Sequence, residues 1–214
     1  MNTRLYIRNG LVSLEFKNMT FLLTSAGFST QKISNTFLKL LPKSVSEAKV
    51  VFIPTASRTK EELKYVEESR QELIDLGIKN IITLNLELQV VVSDIKNVDV
   101  VYVCGGNTFY LLKKMRESGF DQLLSSFDGL YVGVSAGSIV VGPNIELAGP
   151  WDQNDVSLSD TTGLNLVGFA VSPHYQEKEQ GIINDFKSRV DYEIVTLTDS
   201  QAVLVGGDEK KIIE

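Results

Sequence analysis

The chain has 214 residues, with 21 Lys and Arg against 27 Asp and Glu, and it contains a single cysteine and a single histidine. That length suits one domain able to bury roughly 70% of the surface its unfolded chain exposes, and a content of 43% hydrophobic and 22% charged residues is that of an ordinary globular protein. Cys104 alone cannot form an intrachain disulfide, so a cytoplasmic setting is expected. Cys104 and His174 are also the only thiol and imidazole available, too few for an ordinary zinc site, so no metal and no cofactor is expected. A net charge of −6 without clustered Lys and Arg argues against a nucleic-acid partner. The longest uncharged run, residues 129–145, is broken by glycines, Pro143 and Asn144, so no membrane span is expected.

Residues 1–18 carry Arg4 and Arg8 but no long apolar core, and read as an extension of uncertain role rather than a secretory signal. From Met19 onward, short apolar runs alternate with segments of helical period. Residues 20–24, 50–53, 81–84, 98–103 and 130–134 are near-continuous in Val, Ile, Leu, Phe and Tyr, as expected of strands buried on both faces. Between them, Ile33, Phe37, Leu38 and Leu41 recur at helical spacing, as do Leu63, Val66, Leu73 and Leu76, the latter closed by Gly77. A third helix is expected from Thr108, with Phe109, Leu112 and Met115 inward. Residues 150–163 read as a polar loop, 167–172 as a strand and 182–190 as a helix. Residues 192–197, 202–205 and 210–213 read as closing strands, with Gly206, Gly207 and Asp208 forming a hairpin turn. Residues 19–214 are therefore expected to form one α/β domain, a doubly wound, mostly parallel sheet with helices on both faces.

The sharpest local signal is Gly133-Val134-Ser135-Ala136-Gly137, which follows a predicted strand directly. A tight strand-to-helix turn of this kind presents a serine in a strained conformation and offers unpaired helix N–H groups to an oxyanion. Without that context the same glycines and serine would be a simple helix cap. A serine nucleophile needs a base oriented by a carboxylate. His174, in Val171-Ser172-Pro173-His174-Tyr175, lies at the end of a predicted strand downstream of Ser135. The acidic residues Asp152, Asp155 and Asp160 lie between them, in the order serine, acid, histidine of a recognised hydrolase arrangement.

Cys104-Gly105-Gly106-Asn107-Thr108, Gly133 to Gly137 and Ser172-Pro173-His174-Tyr175, together with Pro54-Thr55-Ala56-Ser57, resemble the S51 serine peptidases, the peptidase E (aspartyl dipeptidase) and cyanophycinase group. The resemblance implies an architecture like class I glutamine amidotransferases, of flavodoxin-like form, with Ser135 as nucleophile and His174 as general base. It places Asp152 at the position of the triad acid, with Asp155 and Asp160 as alternatives in a loop of variable length. It also implies an oxyanion hole of backbone N–H groups from Gly106, Gly105 and Ala136. Aspartyl dipeptidase reads its substrate's Asp side chain with an arginine beyond the histidine, and that stretch here is Gln176-Glu177-Lys178-Glu179-Gln180. Lys178 lacks the planar two-donor fork that matches a carboxylate; Arg58 and Asn107 are further candidate substrate contacts.

The expected activity is hydrolysis of short peptides, dipeptides among them, by a Ser-His-Asp triad through an acyl-enzyme. The expected partner is a small peptide, with no nucleic acid and no membrane, and homo-oligomerisation is permitted. Two alternatives stand beside it: a non-catalytic amidotransferase-like binding or regulatory protein, and an α/β-hydrolase esterase. Cys104 ends a different strand from the elbow serine, and is expected to be a packed, inert thiol.

Overall fold

The computed structural model describes residues 6–8, 11–13, 19–207 and 209–214. In chain order the elements are β1 (Tyr6–Arg8), β2 (Leu11–Ser13), β3 (Thr20–Thr24), α1 (Gln31–Leu40), β4 (Lys49–Ile53), α2 (Lys60–Asp75) and β5 (Asn80–Thr83). Then come β6 (Val100–Val103), α3 (Thr108–Ser118), α4 (Phe120–Leu124), β7 (Leu130–Val134), α5 (Ala136–Ile139), β8 (Phe169–Ser172), α6 (Gln180–Lys187), β9 (Glu193–Thr196), β10 (Ala202–Gly206) and β11 (Glu209–Ile213). The boundaries fall within a few residues of those expected. Most of residues 1–18 and Asp208 of the expected hairpin turn lie outside the described residues.

Seven strands form the main sheet in the order β11-β10-β3-β7-β6-β4-β5. The five from β3 to β5 run parallel, while β10 and β11 add an antiparallel edge. This is the mostly parallel α/β architecture expected. The strands β8 and β9 do not join that sheet; they pair in parallel with each other, Ser172 opposite Thr196. Alternation along β6 shows how the sheet is covered twice. Val100 and Tyr102 pack with Ile33 and Phe37 of α1 and Val66 and Leu73 of α2, whereas Val101 and Val103 pack with Phe109, Leu112 and Met115 of α3. Burying each such aliphatic or aromatic side chain contributes about 1.5–3 kcal/mol, enough in sum to hold the sheet as a rigid platform.

Helix starts are fixed by side chains that satisfy the free first-turn N–H groups. Thr30 accepts from Ile33 N–H at 3.3 Å, and Thr59 with Glu62 forms a reciprocal capping box on α2. Asn107 accepts from Tyr110 N–H at 2.8 Å, and Gly119, with φ of 78°, ends α3. The parallel strands all deliver their carboxyl ends to one edge of the sheet, so the segments after β3, β6 and β7 converge there, as ligand-binding loops do in open α/β sheets. Among the described residues, no helix is long and apolar enough to cross a membrane.

Candidate active site

Ser135 stands between β7 and α5 with φ of 48° and ψ of −108°, a region a non-glycine residue occupies only when its surroundings impose it. The surroundings here do so. Ser138 Oγ hydrogen-bonds Thr24 O at 2.8 Å and Gly133 O at 2.9 Å, and the Thr24 hydroxyl donates to Gly133 O at 3.0 Å. Tyr131 Oη donates to Gly137 O at 2.7 Å from within the core. A Cβ on Gly137 would lie 2.4 Å from Val103 O, so the turn closes against β6 only with glycine at that position. Ser135 is thus presented by a locked strand-turn-helix unit. The N–H of Ala136, first residue of α5, has no partner within its own helix and is available to an oxyanion.

His174 Nε2 lies 3.0 Å from Ser135 Oγ, and His174 Nδ1 lies 2.6 Å from Asp199 Oδ1. A carboxylate on Nδ1 selects the tautomer that carries its proton there, leaving Nε2 unprotonated to accept from the serine hydroxyl. Two strands set this geometry. β8 and β9 are parallel neighbours, so His174, just past Ser172, and Asp199, just past Thr196, emerge at the same end. Ser25, after β3, joins them: its hydroxyl accepts the His174 backbone N–H at 2.7 Å and donates to Asp199 Oδ1 at 3.0 Å.

The acid facing the imidazole is therefore Asp199, and the expectation that Asp152 orients it is corrected. Asp152 lines the larger cavity beside Ser135 and His174, but its Oδ2 accepts the Thr108 N–H at 2.8 Å, where the first turn of α3 offers an unpaired donor. Burial pushes the Asp152 carboxyl above the usual carboxylate range despite that bond. The alternatives are engaged too, Asp155 with Arg58 at 2.8 Å and Asp160 with Arg116 at 3.2 Å. Sequence reasoning missed Asp199 because it searched only between Ser135 and His174. The available signal was the strand before it, predicted at 192–197, which sets an acid just past a strand end.

The glycine pair after β6 faces the elbow. A Cβ on Gly105 would sit 3.2 Å from the Ser135 Cβ, while Gly106 takes φ of 128° and a side chain there would meet Ala56 O at 2.3 Å. Asn107 is committed to structure, since its Nδ2 donates to Gln153 O at 2.8 Å and its Oδ1 caps α3. Arg58 stacks 4.3 Å over Tyr110 besides its bond to Asp155. Cys104 is buried, and burial holds its thiol far above the ordinary range. Among the described residues, no three His, Cys, Asp or Glu side chains gather as a metal site.

Two cavities open on Ser135 and His174. One, of about 470 Å³, extends toward α2 and includes Gly105, Gly106 and Asp199 in its wall. The other, of about 660 Å³, is walled by Ile139, Leu147, Trp151, Ile182 and Lys178, so Lys178 is the one expected specificity residue that adjoins the nucleophile's surroundings.

The chain is similar to several known proteins. An uncharacterized peptidase of Listeria monocytogenes serovar 1/2a is 32% identical over 172 residues, covering 75% of this chain and 83% of the relative. Peptidase E of a Nostoc species is 33% identical over 158 residues, covering 69% of this chain and 58% of the relative. The crystal structure of a candidate peptidase E from Listeria monocytogenes EGD-e superposes with a TM-score of 0.77 at 28% identity, covering 91% of this chain and 97% of that one. The model of peptidase family S51 matches residues 21–213, from the first strand of the main sheet to its last, and the chain belongs to that family of serine-type peptidases.

Proposed function

We propose that the protein hydrolyses short peptides, dipeptides among them, through an acyl-enzyme formed on Ser135. The observation that carries this reading is the unbroken hydrogen-bonded chain from Ser135 Oγ through His174 to Asp199. Ser135 Oγ attacks the scissile carbonyl carbon as its proton passes to His174 Nε2. Asp199 keeps Nδ1 protonated and stabilises the imidazolium that results. The carbonyl oxygen, now anionic, is held by the N–H groups of Ala136 and Gly106, with Gly105 beside them, each donor worth on the order of 3 kcal/mol in the transition state. Collapse of the tetrahedral intermediate breaks the C–N bond, and the leaving amine takes the proton from Nε2. Water then repeats the sequence on the ester, releasing the acid product and restoring Ser135.

The two cavities beside Ser135, of about 470 and 660 Å³, suit a short substrate rather than a folded protein. Lys178 in the larger one offers a single positive charge, weaker support for Asp recognition than a guanidinium would be. Arg58, bound to Asp155, offers less. A cytoplasmic setting belongs to the same reading, supported by a lone buried cysteine that needs no oxidising compartment. A panel of Asp-X, Glu-X, β-aspartyl and neutral dipeptides, run on the wild type and Ser135→Ala, tests the proposal. Cleavage of at least one class by the wild type and none by the variant is expected; an intact panel, or equal cleavage by both proteins, would sink it.

A further inference from the structure

In the larger cavity, Ile139, Leu147, Trp151 and Ile182 form an apolar wall beside Ser135 and His174. The inner half of that wall belongs to the folded core. Ile139 packs in the same cluster as Val171 of β8, and Leu147 packs with Ala170 of β8, Ile183 of α6 and Ile194 of β9. The outer half does not. Trp151 and Ile182 keep 47% and 39% of their surface exposed, so neither side chain is there to fill the interior. The indole is nevertheless held in place. Trp151 Nε1 donates to Glu179 Oε1 at 3.2 Å, and the other Glu179 oxygen accepts Gln176 N–H at 2.9 Å, so one carboxylate ties the indole to the segment that follows His174.

The charges of this wall restrict what can enter. Asp152 and Glu179 bring two carboxylates, and Lys178 is the one Lys or Arg among the described lining residues, so an acidic side chain would meet more repulsion than attraction. An apolar side chain meets no such cost, and a concave, mostly apolar surface with a few polar groups is the usual form of a pocket for one. Ser135 and His174 belong to the same wall, so a group filling the cavity is attached close to the carbonyl under attack. We infer that the larger cavity is a specificity pocket for an apolar side chain, such as leucine or phenylalanine, on a residue flanking the scissile bond, and that Trp151 and Ile182 select it. The pocket deepens the reading of Ser135 as a peptidase nucleophile and rests on it, since only a peptide held at that serine brings a side chain here.

Binding to the Ser135→Ala protein, measured by calorimetry, tests the pocket without turnover. Leu-Ala is compared with Asp-Ala, and Ala-Leu with Ala-Asp, so that either side of the scissile bond is covered. At one of the two positions leucine is expected to bind at least about tenfold tighter than aspartate, the scale on which apolar pockets discriminate. Adding Trp151→Ala is expected to erase that preference, and Ile182→Arg to turn it toward aspartate. Both positions are exposed, and Ile182→Arg carries the test if thermal unfolding shows that Trp151→Ala does not fold. Tighter binding of the aspartyl peptides at both positions, lost in Lys178→Ala, would overturn the proposal, as would a leucine preference untouched by Trp151→Ala and Ile182→Arg. A leucine preference in Ser135→Ala, sensitive to these substitutions, beside a wild type that cleaves nothing would keep the pocket and remove the peptidase mechanism. Cleavage blind to the side chain at both positions would do the reverse.

Discussion

Asp199 Oδ1 lies 2.6 Å from His174 Nδ1, although 25 residues separate the two in the chain. The contact exists because β8 and β9 are parallel and in register, which sends both following loops out on the same side. The role of Asp199 makes a direct prediction. Asp199→Asn keeps the shape but favours the wrong imidazole tautomer, and kcat is expected to fall by about 10³–10⁴-fold, as such changes do in serine proteases. Asp152→Asn, which still caps Thr108, is expected to change kcat less than about tenfold on the scale of a single retained hydrogen bond. Steady-state kinetics on any cleaved peptide compares them, and a larger loss from Asp152→Asn would reverse the assignment.

Ser25 connects the backbone of His174 to the carboxylate of Asp199. Ser25→Ala leaves the His174 N–H without its partner and frees Asp199, at about 1–3 kcal/mol. A fall in kcat of roughly 10–100-fold with KM little changed is expected on that energy. A rise in KM at constant kcat would mean that Ser25 contacts substrate instead.

Much of this was legible in the sequence, and the reasons are local. The elbow around Ser135 is visible because a tight strand-to-helix turn demands small residues at fixed positions, and its five residues are contiguous. The core strands are visible because burial on both faces removes polar residues from them. Asp199 was not visible in this way, since what makes it face His174 is the pairing of β8 with β9, a long-range contact that no local pattern encodes. The separation of those two strands from the main sheet escaped for the same reason. Asp152 was misread because an acid in a loop after the nucleophile looks alike whether it caps a helix or orients a base.

The buried Asp152 yields a stability test with a definite sign. Its carboxyl in the folded protein is raised above the ordinary 3.8, so the native state holds its proton more tightly than the unfolded chain does. Stability from this group is therefore present at low pH and lost as pH rises through the folded-state value. Asp152→Asn removes the penalty while keeping an acceptor for Thr108. The Tm of the variant relative to wild type is expected to be higher at pH 7 than at pH 4, and the opposite trend in thermal melts would show that the ionised carboxylate is the stabilising form.

Gly106→Ala places a methyl group 2.3 Å from Ala56 O at a φ of 128°. The turn must move, and with it the Gly105 and Gly106 N–H groups proposed as oxyanion donors. Loss of about 10²–10³-fold in kcat is expected if one oxyanion donor is displaced. Near-wild-type turnover in a folded variant would exclude this turn from the oxyanion hole.

Cys104 adjoins Gly105 yet is buried with its thiol held protonated, so it is expected to resist iodoacetamide at pH 8, and Cys104→Ala is expected to keep activity. Inactivation that tracks alkylation of Cys104 would make it a participant.

The central claim is that Ser135 is a nucleophile activated by His174, and intact-mass analysis after exposure to a fluorophosphonate tests it most directly. The account predicts one adduct on the wild type, mapped to Ser135, absent from Ser135→Ala and formed far more slowly on His174→Ala, which has no second imidazole to compensate. An unmodified wild type, or an adduct that persists in Ser135→Ala, would contradict it.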